Sequence, residues 1–359
     1  DLLQSGKLDA PAKIVAQQVV GPTLGAESVR GGAMSFGIAF LVIFILMLVY
    51  YNNGGWVANI ALIFNLLFTI GVLISLDFTL TAAGIAGLVL TIGLAVDTNV
   101  IIFERIKEEL TKGKSYPLAV NDGYKRSLAP VIDAHVTSLL TAFILFYFGL
   151  GPVLGFATTQ IIGILLSLFC GILVSRLITE VWTNKNRHFN YFTSISKKIF
   201  KHASYKFIEL RKYAYVISTI VFIAGILSFF NGFHLGVEFK GGRSYTVQFD
   251  KNVKNDDIRD DLKKALDGDN VTIKTVGDNR HLNITTAYLK ADEKADSAVK
   301  ARLFQGLTKV LPAGTTYQQF TKNNIQAYST VQPSISDDLK RGAVKATIFA
   351  MLVIFLYIF

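Results

Sequence analysis

Seven stretches of this chain are long and apolar enough to cross a hydrocarbon layer of about 30 Å, a distance that takes about 20 helical residues. They lie near residues 33–51, 57–76, 81–103, 128–148, 153–177, 213–232 and 341–359. No other feature narrows the fold as far, because lipid offers no partner for a free backbone amide and admits only helices or closed barrels. With 51% hydrophobic and 17% charged residues, the chain is also too apolar for an ordinary soluble domain. The expected fold class is a polytopic α-helical membrane protein of about seven spans, with a polar α+β domain inserted between the last two.

The net charge of +10 raises the question of nucleic acid, and its location answers it. Residues 104–127 carry six Lys/Arg against four Asp/Glu, and residues 176–212 carry nine against two. A basic excess confined to two loops between apolar spans is the positive-inside pattern, and no aromatic-studded basic groove accompanies it. With those loops in the cytoplasm, residues 1–32, the links near 77–80 and 149–152, and the segment 233–340 lie outside. The expected order is an outer segment at 1–32, five spans in 33–182, a basic linker at 183–212, a span at 213–232, an outer domain at 233–340 and a span from 341. The chain opens "DLLQSGKLDA" without methionine and closes inside the apolar run "LVIFLYIF", so we expect a piece of a longer protein.

Residues 233–340 are polar and nearly balanced in charge. "RSYTVQF" (243–249) reads as a strand, and "NDDIRDDLKKALDG" (255–268) places Ile258, Leu262, Ala265 and Leu266 on one helical face behind an Asn255 cap. "VTIKTV" and "HLNITT" flank the turn "GDNR", which predicts a hairpin. A second amphipathic helix (293–311) and a strand (324–331) complete β-α-β-β-α-β, a ferredoxin-like split unit. There is also an internal echo. Val20, Pro22, Arg30 and Gly31 recur as Val331, Pro333, Arg341 and Gly342 at a constant offset of 311, which favours duplication and predicts another outer domain before residue 1.

The chemistry concentrates on the third span. Asp97 stands about four turns into it, where a carboxylate costs at least about 2.5–3.5 kcal/mol and usually faces the bundle interior with a task. Ala83, Gly87, Thr91, Ala95 and Asn99 form a stripe of small residues at spacing four, which lets another helix approach closely and puts this span at the centre of the bundle. Asp97, Glu104 and Glu108 follow at spacings of seven and four, an acidic line with Arg105 beside it. The fourth span carries Asp133, at a depth similar to Asp97, and His135; each suits either a proton relay or a plain interhelical hydrogen bond.

Several patterns lead nowhere. "GKS" at 113–115 lacks the first glycine of a phosphate loop and follows a helix, not a strand. "GLGPVLG" at 149–155 has the wrong spacing for a dinucleotide fingerprint. The histidines at 135, 188, 202, 234 and 281 have no zinc-ligand spacing, and Cys170 is the single cysteine. No metal, cofactor or enzymatic activity is expected.

The segments "TLTAAGIAGLVLTIGLAVDTNVIIFERIKEEL" and "VIDAHVTSLLTAFILFYFGLGPVLGFA" resemble the membrane half of the SecD family. "HLGVEFKGGRSYTVQF" and "VQPSISDDLKRGAV" resemble the first half of the SecF family, and their tandem order is similar to the fused form. The resemblance implies a resistance-nodulation-division type of fold with pseudo-symmetric halves of six spans. It also implies an inner-membrane accessory to the SecYEG channel, with YajC and YidC as further partners, that uses the proton gradient to draw unfolded polypeptide outward. On it, Asp97 becomes the proton-relay aspartate, with Asp133 and His135 as further relay candidates. Glu104, Arg105 and Glu108 form the charged end of the motif, and Phe239, Gly241 and Gly242 match the family's Phe-x-Gly-Gly turn. His135 stands where the family usually has Asn, and Thr98 where it commonly has Ala. The rivals are a drug or lipid exporter of the same superfamily, a passive translocase scaffold, and an intramembrane aspartyl protease, whose Gly-x-Gly-Asp setting is absent before Asp97.

Overall fold

The computed structural model describes residues 16–185, 187–197, 208–230, 236–269, 271–290, 292 and 295–359. In chain order these form β1 (Ala16–Val20), α1 (Pro22–Tyr51), α2 (Gly54–Ser75), α3 (Ala82–Thr111), α4 (Tyr116–Phe148), α5 (Pro152–Thr183) and α6 (Arg211–Phe230). There follow β2 (Gly242–Gln248), α7 (Asn255–Ala265), β3 (Thr272–Val276), β4 (Asp278–Thr286), α8 (Asp296–Leu307), β5 (Ile325–Val331) and α9 (Pro333–Ile358). The seven helices α1–α6 and α9 are each long and apolar enough to cross a membrane. The protein is a multi-pass α-helical membrane protein with an inserted α+β domain.

The helices extend past the apolar runs. α1 begins at Pro22, so residues 22–32 ahead of the first apolar run are already helical. α3 runs to Thr111, which keeps the charged motif helical to its end. Two units divide the chain: residues 1–27 with 217–342, and residues 28–216 with 343–359.

In the first unit the sheet order is β1-β5-β2-β4-β3, antiparallel throughout. Leaving out β1, the remaining four strands have the ferredoxin-like order with α7 and α8 on one face. Tyr245, Val247, Ile273, Leu282 and Ile284 on that face pack with Ile258 and Leu262 of α7 and Val299 and Leu303 of α8. Gly306 lets the helices close, since an added Cβ would stand 3.0 Å from Leu262.

Two local expectations are corrected. The cap of α7 is Lys254, whose backbone is extended, and Asn255 is already helical. The hairpin turn is tighter than "GDNR": β4 starts at Asp278, paired with Val276, and Gly277 takes φ +73° at the corner. Residues 293–294 of the expected second helix lie outside the described residues, and α8 starts at Asp296.

The echo at offset 311 acquires a geometric meaning in β1 and β5. Gln18 pairs with Ser329, its own counterpart, while Gln17 pairs with Thr330 and Val19 with Tyr328. Exchanging the two copies leaves this register unchanged, which is the condition for a local two-fold axis through the central pair.

In the second unit α3 packs along α5 and α4. Gly87, Thr91, Ala95 and Asn99 are buried and Ala83 partly so. α5 answers with its own small residues at spacing four: Gly155, Thr159, Gly163, Ser167 and Gly171. Gly163 lies against Thr91 and Gly87 against Thr159, and an added Cβ on Gly171 would stand 2.6 Å from Thr98 Cγ2. A spacing of four drifts about 40° per step on a 3.6-residue helix. A π turn at Phe169–Val174 takes up an extra residue, after which Ser175 and Thr179 meet the buried Tyr124 hydroxyl at 3.1 and 3.3 Å.

Buried leucines carry the core of the inserted domain, so Leu303→Ala in residues 236–332 expressed alone is expected to lower unfolding free energy by about 2–5 kcal/mol. Urea denaturation measures it; a loss below about 1 kcal/mol would mean that α8 does not supply the core.

Candidate functional site on the third helix

The stripe on α3 determines where Asp97 points. Asp97 follows Ala95 by two residues, about 200° around the helix, so burying the stripe against α5 turns the carboxylate outward. Asp97 is exposed on the flank of the bundle and has no hydrogen bond or ion pair among the described residues. The expectation of a carboxylate facing the interior of this bundle is therefore corrected: α3 is central, but its buried side is the small stripe. Glu104 and Glu108 are exposed too, and spacings of seven and eleven bring them within about 20° of Asp97 on the helical wheel. The three acids line one flank.

Thr98 and His135 touch each other. His135 is 3% exposed, with Nδ1 2.8 Å from the Val131 carbonyl and Nε2 3.2 Å from Thr98 Oγ1 and 3.3 Å from Ser167 Oγ. A ring nitrogen facing a carbonyl carries the proton, which leaves Nε2 to accept from the Thr98 hydroxyl, while the Ser167 hydroxyl beside it donates to the Leu94 carbonyl at 3.3 Å. The imidazole thus bridges α3, α4 and α5. Asp133, two residues earlier, is exposed and accepts from the Tyr357 hydroxyl of α9 at 2.9 Å. The structure therefore joins His135 to Thr98, and Asp133 to α9.

At the charged end Arg105 binds Glu108 at 2.5 Å, and Lys107 Nζ reaches Glu104 at 2.9 Å. Glu109, not singled out in the sequence, is the centre of this end. Its carboxylate is buried between Lys114 at 2.5 Å, Arg105 and Lys112 at 3.4 Å and Arg126 at 3.6 Å. Lys114 of the "GKS" triplet also binds Asp122 at 2.5 Å, and the Asp122 and Glu109 carboxylates hold its ammonium above the usual lysine range. The signal for Glu109 was its position, three residues past the buried Ile106 and seven past Ile102.

In the inserted domain Gly241 and Gly242 follow the short helix Val237–Lys240 containing Phe239. Their φ angles are +69° and +130°, and added Cβ atoms would stand 3.1 Å from Pro333 and 2.5 Å from the Thr286 carbonyl. Conformation and space both demand glycine. Beyond this turn Arg243 is fully buried and donates to the Leu289 and Asp292 carbonyls at 3.0 and 2.6 Å. Burial and the Asp296 carboxylate it donates to push the Tyr245 phenol well above its usual range, so it stays a neutral donor.

Comparison with known proteins addresses both motifs. Residues 4–185 match the family described as protein export membrane protein SecD/SecF, C-terminal, and residues 226–253 match the SecD/SecF GG motif, which includes Gly241 and Gly242. The chain is 46% identical over 179 residues to the protein translocase subunit SecD of Rhodothermus marinus, covering 50% of this chain and 29% of that one. With the SecD subunit of Desulfurispirillum indicum it shares 48% over 180 residues, covering 50% and 35%. The crystal structure of SecDF, a translocon-associated membrane protein from Thermus thermophilus, superposes with a TM-score of 0.83 at 31% identity, covering 99% of this chain and 47% of that one. SecDF in a super-membrane-facing form gives 0.65 at 30% identity, covering 99% and 47%. The chain thus spans about a third of these SecD relatives and about half of the solved proteins. With the aspartate-bearing helix and the glycine turn both inside the matched regions, the chain belongs to the SecD/SecF family of protein-export membrane proteins.

Proposed function

We propose that this chain is part of an accessory subunit of the Sec protein translocase that draws on the proton gradient to move unfolded polypeptide across the inner membrane and release it outside. The observation that carries the reading is Asp97: a carboxylate on a membrane helix, with no hydrogen bond or ion pair among the described residues, in line with Glu104 and Glu108. An acid so placed is stable ionised only where water or a cation reaches it and is stable neutral in lipid. A protein that alternates between two such settings couples proton movement to a change of shape, provided the two states differ in stability. The His135 bridge and the α3–α5 seam supply the rigid side of that arrangement. This reading needs neither a cofactor nor covalent chemistry, with protons as the coupling ion.

In this reading the basic loops lie in the cytoplasm, with Glu104 and Glu108 on that side and residues 233–340 outside; the charge asymmetry supports it. The partners are the SecYEG channel and the polypeptide in transit, with YajC and YidC as associated subunits.

The test uses inverted membrane vesicles with the complete protein. Collapsing the proton gradient with a protonophore is expected to abolish the stimulation of export that the protein provides, and collapsing a sodium gradient is expected to leave it intact. Stimulation that survives the protonophore would make the subunit a passive scaffold; stimulation lost with sodium would change the ion.

A further inference from the structure

The segment after α5 was expected to be a basic linker, yet residues 187–197 are folded onto the helix ends. Tyr191 is fully buried beside Phe103, with ring centroids 5.1 Å apart, and its ring occupies the space a side chain at Gly54 would need. Three backbone contacts fasten the segment: Gly54 N–H donates to the Asn190 carbonyl at 3.2 Å, Asn52 Nδ2 to the Phe192 carbonyl at 3.1 Å, and Phe189 N–H to the Tyr116 hydroxyl at 2.9 Å. A turn closed by Thr193 and Ser196 ends it, with Ser196 N–H donating to Thr193 Oγ1 at 3.0 Å and Thr193 N–H to Ser196 Oγ at 2.9 Å. It is a strap across the end of the bundle where the acidic line terminates.

Beneath the strap sits Lys107, 8% exposed on a helix end crowded with rings. Its ammonium lies 4.6 Å from the Tyr50 ring, 5.4 Å from Tyr51 and 5.7 Å from Phe192, the last belonging to the strap. One carboxylate pairs with it, Glu104 at 2.9 Å, and that carboxylate is half exposed. An ammonium so enclosed is stable only while its counter-charge stays; the rings add a cation–π contribution of about 0.5–2 kcal/mol, which does not replace a carboxylate. The other ionisable groups here are Tyr50 and Tyr51 of α1 and Lys197, whose ammonium stands 5.8 Å from the centre of the Phe192 ring. Arg105 is held by Glu108 and Glu109, while the Tyr51 hydroxyl donates to the Glu104 carboxylate beside Lys107.

We propose that Lys107 is a positioning residue that couples the charge on Glu104 to the docking of the 187–197 strap, so that neutralising Glu104 frees the ammonium to leave its cage and releases the strap. This rests on the proposed proton pathway for its purpose: the strap closes the end of the bundle while Glu104 is ionised and opens it when a proton arrives. The coupling itself is physical and holds whether or not a gradient drives it.

Two serines report it. Ser194 is exposed and Ser196 is 8% exposed, two residues apart. In the complete purified protein with the buried Cys170 and every other native cysteine replaced by Ala, single cysteines Ser194→Cys and Ser196→Cys are labelled with a bulky maleimide. With the strap docked, the cysteine at 196 is expected to react about tenfold more slowly than the one at 194. Adding Glu104→Gln is expected to bring the two rates together. Lys107→Met is expected to keep the slow rate, since a thioether packs well on aromatic rings. The double variant Glu104→Gln with Lys107→Met is expected to restore it, because no uncompensated charge remains. Equal rates in the unsubstituted chain would show no docked strap. An unchanged slow rate in Glu104→Gln, or a fast rate persisting in the double variant, would overturn the coupling. None of these readings uses a gradient, so failure of the proton-driven function is scored separately by export in vesicles.

Discussion

Asp97→Asn in the complete protein is expected to assemble at normal levels and to lose the gradient-dependent part of export stimulation entirely. The two halves of this expectation come from one geometry. Asp97 makes no hydrogen bond or ion pair among the described residues, so the isosteric amide breaks nothing there. It also removes a carboxylate that costs at least about 2.5–3.5 kcal/mol at membrane depth, so the variant is expected to be no less stable than the parent. Function moves the opposite way, because an amide cannot exchange a proton near neutral pH. Asp97→Glu keeps the titratable group on a longer stem and is expected to retain part of the stimulation. Export in inverted vesicles, with and without a protonophore, measures both. A variant at Asn that retains full dependence on the gradient would reduce Asp97 to a structural polar group, and one that fails to assemble would show that the carboxylate has an essential partner.

The largest structural effect is expected at the seam between α3 and α5. A Cβ on Gly163 would run into Cβ, Cγ2 and Oγ1 of Thr91. Thr91 cannot swing away, since it is fully buried and its hydroxyl donates to the Gly87 carbonyl at 2.9 Å. Overpacking of this kind costs about 1–3 kcal/mol where the backbone yields, and here Asn65 Nδ2 also bonds the Gly163 carbonyl at 3.5 Å. Gly163→Leu is expected to lower the thermal unfolding midpoint of the purified protein by several degrees or to prevent its accumulation. Gly93→Leu, on the same α3 helix but with nothing within 4 Å of its added Cβ, is expected to be neutral or slightly stabilising, because glycine is a poor helix former by about 1 kcal/mol. The contrast separates close packing from a general intolerance of bulk. Equal behaviour of the two variants would show that α3 and α5 do not meet through these residues.

Local composition determined much about this protein. The number and positions of the membrane helices follow from runs of about 20 apolar residues, since nothing else satisfies the backbone in hydrocarbon. The inserted domain followed from strand alternation, helical faces and the turn chemistry of Gly277. The acidic line of Asp97, Glu104 and Glu108 was legible as spacing alone, and so was the α3 stripe. Its partner on α5 is written in the same spacing of four, from Gly155 to Gly171.

Direction was decided only by the tertiary structure. Whether Asp97 faced a helix or the flank depended on which side of α3 met α5, and in lipid hydrophobicity does not distinguish these, because a neighbouring leucine is as apolar as an acyl chain. Small residues and hydrogen bonds settle the choice, through Gly163 on Thr91 and His135 on Thr98. Glu109 became the centre of the charged end only because Lys114 and Arg126 come to it from outside α3. The 187–197 strap carried a basic, loop-like composition, and its Tyr191 ring found its socket only once α3 and α4 had brought Phe103 and Tyr116 to one end. β1 and β5, 311 residues apart in their matching positions, share a register that neither strand encodes by itself. Periodicity within one element reports what that element needs to bury; which partner buries it is a property of the assembled chain.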